Sequence, residues 1–274
     1  MNTSAEKILP WIPLDDPAEN YHQASKLSRW VNDSSSAMYA YDLMTDPEAI
    51  ASFGVPSSNY PSAEHYPLAN SRWGSSISSV LRNRHSAQSF SNAPVSFQDF
   101  STLLRESACL TESYGRGAPS AGGLYPIDIY LCITNVQGLP AGFYTLATHT
   151  ATLHKLEVST EPRQFLKESL LFNDLAAHSA FHLFFIASMP RLRIKYGQRS
   201  YRFALIETGH LAQAMIMCAQ EAGLASCPVG GFIDQKIDDL FCLDGVEQSV
   251  LYSVAFGQPD FSRAADVRTS QNQK

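Results

Sequence analysis

Residues Arg202 to Gly223 read RFALIETGHLAQAMIMCAQEAG, and this stretch decides how the rest of the chain is read. The spacing predicts a helix from Arg202 to Ala222, with Gly223 at the left-handed stop position that glycine fills at least cost. Its second half, LAQAMIMCA from Leu211 to Ala219, is apolar almost all the way round, with Gln213 the main exception. A helix without a polar face must be covered on every side. That cover comes from the centre of one subunit or from a second copy, and we expect a homodimer.

Working outward, residues 127–134 (IDIYLCIT) place Ile127, Ile129, Leu131 and Ile133 on one face, which predicts a strand. A Gly-Leu-Pro-Ala-Gly turn then introduces a second extended segment, and Phe181 to Ala187 (FHLFFIA) is a third, fully apolar one. Ser96, followed by Asp99 and by Phe97, Phe100, Leu103 and Leu104, reads as a capped helix ending near Cys109. From Ser75 onward, Ile77, Val80 and Leu81 share one helical face. Helices and strands mix without regular βαβ alternation, so the expected class is α+β, a central sheet flanked by helices.

Composition narrows the function classes. The chain has 274 residues, of which 45% are hydrophobic, enough for a large buried core. Its formal charge of −6 argues against a nucleic-acid partner, because phosphate-tracking proteins carry a basic excess. Cys109, Cys132, Cys218, Cys227 and Cys242 are odd in number and form no C-x-x-C pair, which suits reduced thiols in a cytoplasmic protein and leaves no metal motif. No signal peptide and no membrane span is read. Residues 1–72 are rich in Ser, Pro, Asp and Asn with single aromatics such as Trp11, Tyr21 and Trp30. They are expected to form an irregular arm, either packed on the body or acting as a lid, and residues 73–274 the main domain. The polar stretch after Pro259 is expected to fray.

Three segments invite chemistry. Arg84 follows Ile77, Val80 and Leu81 by seven, four and three residues, so a continuing helix would put a cation on an apolar face. Either it meets a buried anion, or the helix stops first and the side chain reaches water. In RHSAQSF, Arg84 to Phe90, side-chain and backbone donors gather near a helix end, which suits a phosphate or a polar ring edge. In PSAGGLYP, Pro119 to Pro126, adjacent glycines between prolines are an ordinary loop or a fixed backbone open to a flat ligand; a similar pair recurs in CPVGGF, Cys227 to Phe232. In RLRIKYGQRSYR, Arg191 to Arg202, a helix would align Lys195, Arg199 and Arg202 as a solvated charge face or as part of a site.

RHSAQSF resembles the R-[RH]-S-x-[RK]-x-F element of nitroreductases, and PVGGF is similar to their flavin-N5 loop. PSAGGLYP and KYGQRSYRFALIETGHLAQ, Lys195 to Gln213, resemble the narrower SagB-type dehydrogenases, which include the dehydrogenase subunits of azole-forming microcin and streptolysin synthetases. The similarity runs from about Trp73 to Pro259, with a weaker element at YHQASK, Tyr21 to Lys26. The resemblance implies bound FMN, lined by Arg84, Ser86 and Gln88, with Ser120, Ala121 and Gly122 beside the isoalloxazine and Pro228, Gly230 and Gly231 facing N5. It implies Lys195 and Tyr196 as catalytic bases, oxidation of thiazoline or oxazoline rings in a ribosomal peptide, and a cyclodehydratase with its precursor peptide as partners. Gln88 stands where the family usually has Arg or Lys, and Ser200 where it has Gly. The other readings left open are an NAD(P)H-dependent nitro- or ene-reductase and a non-catalytic flavin-binding scaffold.

Overall fold

The computed structural model describes residues 17–26, 76–109, 115–171, 175 and 178–260. The expectations for Trp11, Trp30, Trp73, most of the arm and the polar tail lie outside these residues. In chain order the helices are α1 (Pro17–Ser25), α2 (Ser76–Asn83), α3 (Phe97–Ala108), α4 (Pro162–Ser169), α5 (Met189–Tyr196), α6 (Ser200–Glu221) and α7 (Asp234–Leu240). The strands are β1 (Phe90–Ser91), β2 (Ile127–Ile133), β3 (Gly142–Ala147), β4 (Thr152–Lys155), β5 (Phe181–Ser188), β6 (Ala225–Val229) and β7 (Gln248–Pro259).

The sheet runs β1-β7-β5-β2-β3-β4, with β6 also paired to β7, and every named pairing is antiparallel. All eight residues of β5 are buried. That explains its unbroken apolar run: a strand covered on both faces has no polar side to alternate with. Phe181, Leu183 and Phe185 join Phe100, Leu103, Leu211 and Met215 of α3 and α6 in one core. Phe184 and Ile186 point the other way, onto Phe165 and Leu166 of α4 and Ile237 of α7. Phe181 meets Phe100 edge-on at 4.9 Å and stacks on Phe256 at 4.9 Å. Truncating such a ring to alanine costs roughly 3–5 kcal/mol. His182 sits in this sheet with both ring nitrogens buried and, among the described residues, unpartnered, and burial pushes its pKa down to about 3.

The capped helix forms as expected: Ser96 Oγ accepts from the Asp99 N–H at 3.0 Å and donates to the Asp99 carboxylate at 2.6 Å. α6 closes where Gly223 (φ 71°) turns left-handed. The Gly223 N–H then donates to Gln220 O and the Leu224 N–H to Ala219 O, a paired closure of the last turn.

One expectation is corrected and two open readings are narrowed. Of the two sources of cover left open for α6, its own subunit supplies only part: Leu211, Ala212, Met215, Ile216 and Ala219 are buried, while Gln213 is exposed and Ala214, Met217 and Cys218 are half-buried. Of the two readings of Arg84, the helix stops first: α2 ends at Asn83, and of the residues on its apolar face only Val80 is buried while Ile77 and Leu81 stay exposed. Within the stretch expected to be irregular, Pro17–Ser25 is helical. It is anchored by Glu19 to Arg193, by His22 Nδ1 to Tyr201 OH at 3.1 Å and by Lys26 to Asp238 at 3.0 Å.

Candidate functional site

The sheet brings the first and last of the sequence motifs together. The Ala87 N–H donates to Ser226 O at 2.8 Å, laying the segment after α2 beside β6, and Phe90 and Ser91 extend the pairing onto β7. Alternation along this extended segment buries Ala87 and turns Ser86 and Gln88 outward, where both are exposed. Arg84 is half-buried; its guanidinium approaches Ser86 Oγ at 3.4 Å and pairs with no carboxylate among the described residues. β6 runs from Pro228 into Gly230 and Gly231. This turn is pinned on one side, where Gly231 O accepts from the Leu171 N–H at 2.9 Å and Val229 O accepts from Ser253 Oγ at 2.8 Å. On the other side, among the described residues, it is open, because a Cβ on Gly230 would meet no atom of theirs within 4 Å. A cleft of about 190 Å³ adjoins it, lined by Tyr21, Tyr201, Leu205, Phe232 and Asp234.

The second group forms around residues 120–125. Ala121–Gly123 makes one tight helical turn, with Gly122 at φ 64° and Gly123 at φ 68°, a region that costs other residues roughly 1–2 kcal/mol. Ser120 Oγ accepts the Tyr125 N–H at 2.9 Å and donates to Glu207 Oε2 at 2.7 Å, and the Ala121 N–H reaches the same carboxylate oxygen at 3.3 Å. Glu207 lies on the buried stripe of α6. Burial raises its carboxyl pKa, opposed by the bonds from Ser120 and Ala121 and by the charges of Arg116 and His210. Arg116 lies over the Tyr125 ring at 4.2 Å. Arg191 donates to Tyr125 O at 3.0 Å and forks onto Asp128 at 2.8 and 2.9 Å, fixing the far end of the turn.

Lys195 and Tyr196, at the end of α5, meet this turn at Gly122. A Cβ placed there would lie 2.7 Å from Lys195 Nζ and 2.7 Å from Tyr196 OH, so the two side chains occupy the space the glycine leaves. The Tyr196 ring packs on Phe203 at 4.7 Å, while Lys195 is exposed. The expected common face of Lys195, Arg199 and Arg202 does not exist: α5 stops at Tyr196, Gly197 (φ 52°) turns the chain, and α6 starts afresh at Ser200. Among the described residues no hydrogen bond joins the Arg84/Gly230 group to the Ser120/Lys195 group.

Sequence reasoning missed Glu207, Arg116 and Arg191. A glutamate inside a helix is ordinarily a surface residue. The usable signal was its position three after Ala204 and four before Leu211, on the buried stripe.

The nitroreductase family profile matches residues 81–258, and the chain belongs to the nitroreductase family. It is therefore an oxidoreductase, from a family whose members typically bind a flavin. A nitroreductase-type protein of Methanocaldococcus jannaschii is 27% identical over 165 residues, 60% of this chain and 83% of that one. The microcin B17-processing protein McbC of Escherichia coli is 29% identical over 143 residues, 48% of this chain and 50% of that one. Among solved structures, a chain of the E. coli microcin synthetase McbBCD complex with truncated pro-MccB17 bound superposes with a TM-score of 0.64 at 24% identity, covering 79% of this chain and 83% of that one. A nitroreductase-type protein from Anabaena variabilis superposes with a TM-score of 0.60 at 23% identity, covering 67% of this chain and 38% of that one. The match thus spans only half of McbC and less of the Anabaena chain, and the likeness to solved structures is one of fold.

Proposed function

We propose that this protein is an FMN-dependent dehydrogenase that oxidises thiazoline or oxazoline rings of a ribosomally made peptide to thiazoles or oxazoles. The observation that carries the reading is the seating of Lys195 and Tyr196 against Gly122, which puts a proton-accepting pair at a side-chain-free surface. The residues present fit FMN. Among the described residues Arg84 and Ser86 are donors with no carboxylate to satisfy them, as a phosphate site requires. Gly123 and Gly230 leave backbone open for a flat ring, and the turn at Pro228–Gly231 is held from behind. The similarity to McbC over about half of each chain supports the choice of an azoline substrate.

When bound, FMN supplies a two-electron acceptor that molecular oxygen can regenerate. Arg84, Ser86 and Gln88 bind it, and the turn from Ser120 to Gly122 and that from Pro228 to Gly231 orient it. Lys195 and Tyr196 take the proton from Cα of the azoline as a hydride leaves Cβ, so the ring loses one H⁺ and one H⁻ and becomes aromatic. We further propose that the protein acts as a homodimer with the flavin near the subunit boundary, partnered by a cyclodehydratase and its precursor peptide. Exposed Ile77 and Leu81 on α2 and Leu205 and Ile206 on α6 support the dimer; light scattering should report twice the chain mass, and a stable monomer that keeps its flavin would refute it. The reaction is tested by mass spectrometry of an azoline peptide incubated with protein, FMN and oxygen. Loss of H₂ per ring is expected, and an unchanged peptide alongside rapid NADPH oxidation would favour a nitro- or ene-reductase.

A further inference from the structure

The turn that meets Lys195 and Tyr196 is fastened from behind by a side chain outside all the glycine motifs. We infer that Glu207 is a positioning residue that holds the Ser120–Tyr125 turn against the Lys195–Tyr196 pair, acting through Ser120 Oγ and the Ala121 N–H. The inference rests on the function proposed above, because it concerns the same site.

The geometry is specific. A single oxygen, Glu207 Oε2, accepts from both Ser120 Oγ (2.7 Å) and the Ala121 N–H (3.3 Å). Ser120 Oγ in turn accepts the Tyr125 N–H at 2.9 Å, so one carboxylate oxygen governs both the entry and the exit of the turn. Glu207 is only 5% exposed, so water cannot readily replace it. Beyond Ala121 the chain rises through Gly122, whose missing Cβ would stand 2.7 Å from both Lys195 Nζ and Tyr196 OH. Lys195 and Tyr196 fill the volume a Cβ would take at Gly122, so displacing the turn changes where the pair can sit. Arg191 and Arg116 hold Tyr125 through its carbonyl and its ring and not through its N–H, so removing Glu207 loosens the Ala121 and Tyr125 N–H bonds without dismantling the turn. α6, buried along the same stripe, is a rigid support for such a contact.

The test compares Glu207→Ala with Glu207→Gln in the full chain loaded with FMN. The amide oxygen of glutamine can still accept both bonds; alanine cannot. Amide hydrogen exchange at Ala121 and Tyr125 should rise about tenfold or more in Glu207→Ala and stay near wild type in Glu207→Gln. In single-turnover flavin reduction by an azoline peptide, Glu207→Ala should slow the wild type about tenfold or more yet add little to Lys195→Ala, because both act on one unit. Losses that multiply, or Ala121 and Tyr125 amides that exchange at the wild-type rate in Glu207→Ala, would overturn the inference. A glutamine variant as slow as the alanine variant would overturn it too, by making Glu207 a proton carrier. Should Glu207→Ala not fold, Glu207→Asp, one methylene too short to reach Ser120, takes its place with the same expectations. If azoline peptides fail to reduce the wild-type flavin, the proposed function falls on its own and the exchange measurement alone decides the role of Glu207.

Discussion

The Ser120–Tyr125 turn and the Arg84–Gln88 segment both present backbone and side-chain donors, yet they are built in opposite ways. Three hydrogen bonds and a buried carboxylate hold the first. The second is laid down by one backbone bond from Ala87 to Ser226 and leaves Ser86 and Gln88 in solvent. The difference teaches what each region is for. A turn that satisfies its own polar groups is shaped before any ligand arrives, so changes around it should show in rate. A segment with unsatisfied donors gains its order from the ligand, so changes there should show in affinity.

The largest expected effect belongs to the preformed side. Lys195→Ala and Tyr196→Phe should each keep FMN bound yet slow single-turnover flavin reduction by an azoline peptide by ~10²–10⁴, the usual range for removing a general base. Release of flavin, or wild-type reduction, would break the contrast between the two regions. On the ligand-ordered side, Arg84→Ala should weaken FMN binding about tenfold or more, the cost of one charge-assisted contact, with the rate of the flavin-loaded fraction preserved. Unchanged flavin retention on dilution would return Arg84 to a surface role.

How far the sequence foretold these two regions follows from how each is built. Strand β2, the Ser96 cap and the Gly223 stop are local patterns, and the residues that set them lie within a few positions of one another. α2 left two readings of Arg84 open because amphipathic spacing does not say where a helix stops; the chain leaves it at Asn83 to pair with β6. β7, the longest strand, went unread: its central residues 253–257 are all buried, so no polar side marks it as a strand. The motifs of the candidate site were legible as residues, but their pairing was not. Only the fold sets Ala87 against Ser226 and Gly122 against Lys195. Glu207 was invisible for the same reason, since its partners lie 86 and 87 positions away.

Smaller effects sharpen the comparison. Because burial is the largest influence on Glu207 and raises its carboxyl pKa, the folded chain holds that proton more tightly than the unfolded one. Its contribution to stability is therefore fully present below the ordinary carboxylate range and lost as pH rises through the raised folded value. Denaturant titrations across that window should show a fall in stability that Glu207→Gln flattens; an identical slope in the variant would remove Glu207 from the buried network. The smallest expected change is Gln88→Arg, which restores a cation beside the proposed flavin and should raise its reduction potential. A lowered or unmoved potential would take Gln88 out of the site.

The proposed function is tested most directly by anaerobic titration of the purified, FMN-loaded protein with an azoline-containing peptide and, separately, with NADPH, followed by the flavin absorbance. A yellow protein with about one FMN per chain is expected, bleached by the azoline peptide and not by NADPH. Colourless protein that takes up no added FMN, or flavin bleached by NADPH and untouched by the peptide, would contradict it.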